Sequence, residues 1–125
     1  RDITAEDDKN SSIFTEDQIK YINKSIEIIK SKINNPKFFL WSNDFKNLDS
    51  FFPKNNFTFV STNKIDNDLY LMSQTKHHIV IPSSFNWWGA WLSDSKMTIA
   101  PKNWFSGQAI NKDTSDLYCS NWIIL

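Results

Sequence analysis

Cysteine, glycine and arginine are nearly missing from this chain of 125 residues, and each scarcity closes off a class of chemistry. Cys119 stands alone, which excludes an internal disulfide and a cysteine-built zinc site within one chain. With only Gly89 and Gly107, no G-x-G-x-x-G or phosphate-cradling Walker loop can be assembled. Neither G-x-S-x-G nor H-E-x-x-H occurs, so classical dinucleotide, ATP and serine-hydrolase readings are disfavoured. Arg1 is the sole arginine among 14 basic residues, and arginine is the usual bidentate clamp on phosphate or carboxylate. Lys plus Arg equals Asp plus Glu, so no net field draws the chain to nucleic acid or an anionic membrane. No apolar run approaches the roughly 18 residues of a transmembrane helix. The start, RDITAEDDKNSS, is not a signal peptide, and a chain opening on Arg without Met looks cut from something longer.

What is present fits one soluble domain with an adequate core: 40% hydrophobic and 22% charged residues. Residues 1–14 are polar and acidic and read as a loop. Thr15 opens T-E-D-Q, a capping box, and Ile19, Ile22, Ile26, Ile29 and Ile33 follow at helical spacing until Asn34-Asn35-Pro36 stops the helix. Lys37–Trp41 is a continuous apolar run, expected of a strand covered on both faces. A short helix carrying Phe45 and Leu48 is expected next, then a strand over Phe57–Ser61 and a helix from Asp66 to about Thr75, with Leu69, Met72 and, as a further candidate, Leu71 inward. A strand over His78–Pro82, a helix over Ser84–Leu92 and a strand over Lys96–Pro101 complete the pattern, and 106–125 read as an irregular tail with an apolar patch at Trp122–Leu125. Strands alternating with helices at short spacing predict an α/β fold, a Rossmann-like parallel sheet with flanking helices. The organisation is a loop over 1–14, a Rossmann-like domain over 15–105 and a tail over 106–125. There is no internal repeat; the abundance of Asn is explained by turns and caps.

Three clusters could carry chemistry. Pro82 closes a strand and Ser83 or Ser84 can cap the helix that follows, so that free backbone N–H groups and two hydroxyls face one point where an anion is favoured. A plain cap without a ligand is the alternative at that position, and the commoner one. Trp87, Trp88 and Trp91 suit either stacking on a sugar or core packing, with packing expected for at least two of them. Asp66-Asn67-Asp68 has three readings: a D-x-D pair holding a divalent cation against a nucleotide diphosphate, a helix cap with Asp66 as N-cap, or Asp68 accepting the paired donors of guanine. His77 and His78 point to opposite sides of an extended chain and read as structural, not as joint metal ligands.

The segments FFLWSND, DLYLMSQTKHHIVIPSSFNWWGAWL and IAPKNWF resemble the C-terminal half of bacterial α-1,2-fucosyltransferases of glycosyltransferase family 11. The likeness runs from about Tyr21 to Phe105, and SSFNWWGAWL with its flanks is its most specific part. The resemblance implies the C-terminal half of a GT-B glycosyltransferase, an inverting enzyme moving L-fucose from GDP-β-L-fucose to a galactoside 2-hydroxyl. Carried over by position, Asp68 is implied to contact guanine, and Ser84 and Phe85, beside Ser83, the pyrophosphate; Asp44 matches an acidic turn position and joins this donor-binding set. Asn43, His78 and Asn86 depart from the commoner Asp, Asn and Ser. The family's H-x-R-R-x-D motif is absent, although Arg1-Asp2 stands where its tail would fall. No catalytic base and no metal or cofactor are assigned. The expected partners are GDP-fucose and a galactose-terminated acceptor, and the expected location is cytoplasmic, with at most a peripheral seat at the inner membrane face. A metal-dependent glycosyltransferase using Asp66 and Asp68, and a non-catalytic carbohydrate-binding module using exposed Trp, are the competing readings.

Overall fold

The computed structural model describes residues 16–42, 45–46, 48–94, 96–104 and 116–125. Helix α1 (Glu16–Lys32) turns its isoleucines inward: Ile22, Ile26 and Ile29 are buried, and Ile33 is half-buried just past its end. Asn35, at φ 55°, takes the left-handed conformation that ends the helical path, a shape Asn tolerates better than most residues. Thr15 and the loop over 1–14 lie outside the described residues.

Two parallel sheets follow. Strand β1 (Phe38–Trp41) pairs with β2 (Phe57–Val60) in the register Phe38 to Phe57. Strand β3 (His77–Ile79) pairs with β4 (Met97–Ala100), which in turn pairs with β5 (Ile123–Ile124). Helix α2 (Ile65–Ser73) connects β2 to β3, and helix α3 (Ser84–Leu92) connects β3 to β4. This is the expected α/β pattern of parallel strands and flanking helices, with the sheet divided. Between β1 and β3 lies a cavity of about 670 Å³, walled by Phe38, Leu40, His77, Ile79 and the Ile22–Ile26 face of α1. The main core forms where that face meets Leu48, Phe52 and Ile81. A second cluster joins Val80, Ala90 and Ala100, with Trp104, Tyr118 and Trp122 at its border.

Several expectations are corrected. Phe39 is 48% exposed, so β1 is not covered on both faces; its alternate residues Phe38 and Leu40 pack inward while Phe39 faces solvent. The short helix near Phe45 is a single 3-10 turn at Leu48–Ser50. Part of the tail is ordered as β5: Leu125 N–H donates to Ala100 O and Lys102 N–H to Leu125 O. A two-residue strand has no periodicity to betray it, and it exists because β4 offers a free edge.

Candidate functional site

The turn after β3 is built by Ser83. Its backbone is extended (φ −160°, ψ 144°), and its Oγ accepts from the Asn86 N–H at 3.1 Å and from Asn86 Nδ2 at 2.8 Å. Ser83 is therefore the N-cap, and Ser84 is the first helical residue, with its hydroxyl exposed. Asn86 N–H is met by the cap and Trp87 N–H by Ser83 O, leaving the N–H groups of Ser84 and Phe85 at the open end of the helix dipole. Asn86 also reaches the wall of the cavity beside β1 and β3.

Asp68 sits in the first turn of α2, half-buried, where its Oδ1 accepts the Thr62 N–H at 2.9 Å. The loop between β2 and α2 is tightened further by Thr62 Oγ1, which donates to Lys64 O at 3.0 Å. The N-cap of α2 is Lys64, not Asp66, and it makes no side-chain cap bond. Asp66 is exposed one residue inside the helix. Two positions on a helix separated by one residue point about 200° apart, so Asp66 and Asp68 do not converge on one ion. Among the described residues, no cluster of three or more His, Cys, Asp or Glu could hold a metal.

Helices α2 and α3 pack against each other at Gly89. A Cβ there would collide with Sδ and Cγ of buried Met72, so the close approach requires glycine. Asp68 lies in the first turn of α2 and the Ser83–Phe85 turn opens α3, each helix following the carboxyl end of its strand. Asp44 falls outside the described residues.

The tryptophans correct the sequence reading. Trp88 and Trp91 are 47% and 52% exposed, and only Trp87 is drawn inward, its Nε1 donating to Leu117 O at 2.6 Å. Helix α3 carries apolar residues on every side, and the side it buries is the small one, Gly89 and Ala90, leaving the rings of Trp88 and Trp91 outside. Trp87 and Trp91 stack at 11°, whereas Trp88 meets Trp91 edge-on at 79°, so the exposed pair does not present one flat platform.

Sequence reasoning also missed Tyr21, on α1. Its hydroxyl lies 2.6 Å from Val80 O and 2.9 Å from Ile99 O, at the carboxyl ends of the two strands that frame the site. Burial pushes its phenol well above the ordinary range, so it remains a donor at any working pH. His78, in the middle of β3, is buried, its Nε2 3.4 Å from Thr75 Oγ1, and burial pulls its imidazole down to about 4. His77 Nδ1 and Trp41 Nε1 are buried without a hydrogen-bond partner among the described residues, and both residues contribute to the cavity wall.

Comparison with known proteins gives a consistent result. The model of the family described as "Glycosyl transferase family 11" matches residues 6–125. An "Alpha-1,2-colitosyltransferase" of Escherichia coli is 39% identical over 100 residues, covering 74% of this chain and 34% of that protein. An "O-antigen biosynthesis glycosyltransferase WbnK" of the same organism is 31% identical over 111 residues, covering 84% of this chain and 35% of that protein. The chain thus spans about a third of the length of these curated relatives. No solved structure matches it.

Proposed function

The chain belongs to glycosyl transferase family 11, and from that premise we propose that it is the nucleotide-sugar-binding part of an inverting α-1,2-fucosyltransferase of GT-B architecture. The donor is GDP-β-L-fucose and the acceptor a galactoside 2-hydroxyl. The observation that carries this reading is the start of α3, where a capped helix end at the carboxyl edge of a parallel sheet leaves Ser84 Oγ and two backbone N–H groups open to a phosphate.

Glycosyl transfer of this kind passes through an oxocarbenium-like sugar while a nucleoside diphosphate departs, so stabilising the departing charge matters more than a strong nucleophile. Ser84, the amides at the head of α3 and the helix dipole receive that charge, with Ser83 holding them in place and Phe85 beside them. Asp68 keeps one oxygen on the Thr62 N–H and directs the other toward the paired donors of guanine, which adenine lacks. Asp44 completes the donor set. The transfer needs no metal on this reading, since the diphosphate is met by the helix end, and the divergence of Asp66 from Asp68 argues against the metal-dependent alternative. The edge-on rings of Trp88 and Trp91 argue against a sugar-binding platform. The reading places the enzyme in the cytoplasm with at most a peripheral membrane contact; among the described residues no helix is long and apolar enough to cross a membrane.

Calorimetric titration with GDP, ADP and UDP in EDTA tests the reading. GDP binding with clear preference over both others is expected; equal affinity for all three, or binding restored only by Mn²⁺ or Mg²⁺, would sink it. The colitosyltransferase relative makes colitose the sugar to set against fucose. Competition between GDP-fucose and GDP-colitose then decides the sugar without disturbing the nucleotide assignment.

A further inference from the structure

The parallel ladder between β3 and β4 stops one bond short. Val80 N–H donates to Ile99 O at 2.9 Å, so the next bond in the register would run from the N–H of residue 101 to Val80 O. Residue 101 is proline and has no N–H. Val80 is 1% exposed and Pro101 is buried, so water does not readily replace the missing donor. The donor found there comes from α1: the Tyr21 hydroxyl, 2.6 Å from Val80 O, with Ile99 O at 2.9 Å as a second acceptor. Helix α1 lies against β3, and Ser25 Oγ donates to the Tyr21 carbonyl at 2.8 Å one turn on.

We infer that Tyr21 is a positioning residue of the turn between β3 and α3: its hydroxyl supplies the ladder bond that Pro101 withholds and so fixes the strand end from which Ser83 and Ser84 are presented. The inference rests on reading that turn as the seat of the donor diphosphate. Val80 is three residues from Ser83, with Ile81 and Pro82 between them, and Ile81 is anchored in the core, so an error at Val80 passes directly into the helix start. Tyr21 touches no substrate and acts only through the strand.

The arrangement provides its own rescue. Tyr21→Phe removes the donor and leaves Val80 O buried and unpaired; Pro101→Ala returns a backbone N–H at the register position facing it. Four proteins are compared: the unsubstituted chain, Tyr21→Phe, Pro101→Ala and the double variant. Each is titrated with GDP, and amide hydrogen exchange is followed over Ser84–Trp88 without ligand. Tyr21→Phe is expected to weaken GDP binding and to speed that exchange by about tenfold each, the loss of one buried hydrogen bond. Pro101→Ala alone should change neither, and the double variant should return both to within about threefold. Unchanged exchange and affinity in Tyr21→Phe, or a double variant no better than Tyr21→Phe, overturns the inference. Should Tyr21→Phe fail to fold, the double variant must fold, and its failure overturns the inference as well. An unsubstituted chain that ignores GDP while the exchange pattern and rescue hold removes the nucleotide reading and supports the role of Tyr21.

Discussion

Asp68 and His78 show how differently two polar side chains on neighbouring elements are constrained. Asp68 is held by one oxygen and half-exposed, so its substitution is tolerated structurally while its chemistry changes. Asp68→Asn retains an acceptor for the Thr62 N–H but loses the charge that pairs with guanine. GDP affinity should fall about 10–100-fold, the range for a hydrogen bond to a charged group, with ADP affinity unaltered, as titration would register. Asp66→Ala, on the exposed first turn, should leave GDP affinity unchanged; an equal loss from both would point back to a shared metal. His78 behaves in the opposite way. Its imidazole, lowered by burial from the ordinary 6.5 to about 4, takes up its proton in the unfolded chain before the folded one as pH falls. Stability from this residue is complete above about pH 6.5, declines between 6.5 and 4 and is flat below. The total is about 3 kcal/mol at 1.36 kcal/mol per unit. Denaturant unfolding at pH 7 and pH 4.5 should show the decline, and His78→Asn should flatten that part of the profile.

At the scale of elements, legibility followed periodicity. The isoleucine repeat of α1 and the serine cap of α3 could be read because the signal is local: five apolar residues at helical spacing, and a hydroxyl three residues before the N–H it accepts. The same reading failed on the tryptophans, since Ser84–Leu92 is apolar all round and gives no indication of which side is core. What decides is Met72 on α2, which fits only against a residue without a side chain. Asp66 misled in a related way: a good capping residue lies there, but the helix had already begun at Ile65. The Met72–Gly89 contact yields its own prediction. Gly89→Ala should gain up to about 1 kcal/mol of helix propensity and still destabilise, by roughly 1–3 kcal/mol, through overpacking. Combining it with Met72→Ala should cost less than the two single changes added together, a coupling that a double-mutant cycle in urea would measure. Additive losses would mean that the Met72–Gly89 contact does not lock α2 against α3.

Across the whole molecule, the contacts that close the fold join residues far apart in sequence, which is why they were not legible. Tyr21 reaches carbonyls 59 and 78 positions away, and nothing near Tyr21 or Pro101 announces the pairing. The C-terminal end is tied in the same long-range manner. Trp87 Nε1 donates to Leu117 O, the Tyr118 hydroxyl to Pro101 O, and β5 completes the edge of β4. Thr98, Ile99 and Ala100 are all buried, so β4 is a central strand by burial and needs a partner on each side. Ending the chain at Asn121 removes β5, two backbone hydrogen bonds to Ala100 and Lys102, and the half-buried Trp122 and Leu125. At about 1 kcal/mol for each hydrogen bond and 1 or more for the apolar side chains, the loss should be roughly 3 kcal/mol. Thermal unfolding of the shortened chain should shift to lower temperature, and the bared edge of β4 should promote concentration-dependent association visible by light scattering. Substituting Ile123 and Leu125 with alanine in the intact chain separates the two contributions. That variant keeps the backbone pairing, so it should lose stability while associating no more than the intact chain, and added association in it would show that apolar cover, not strand pairing, protects the edge.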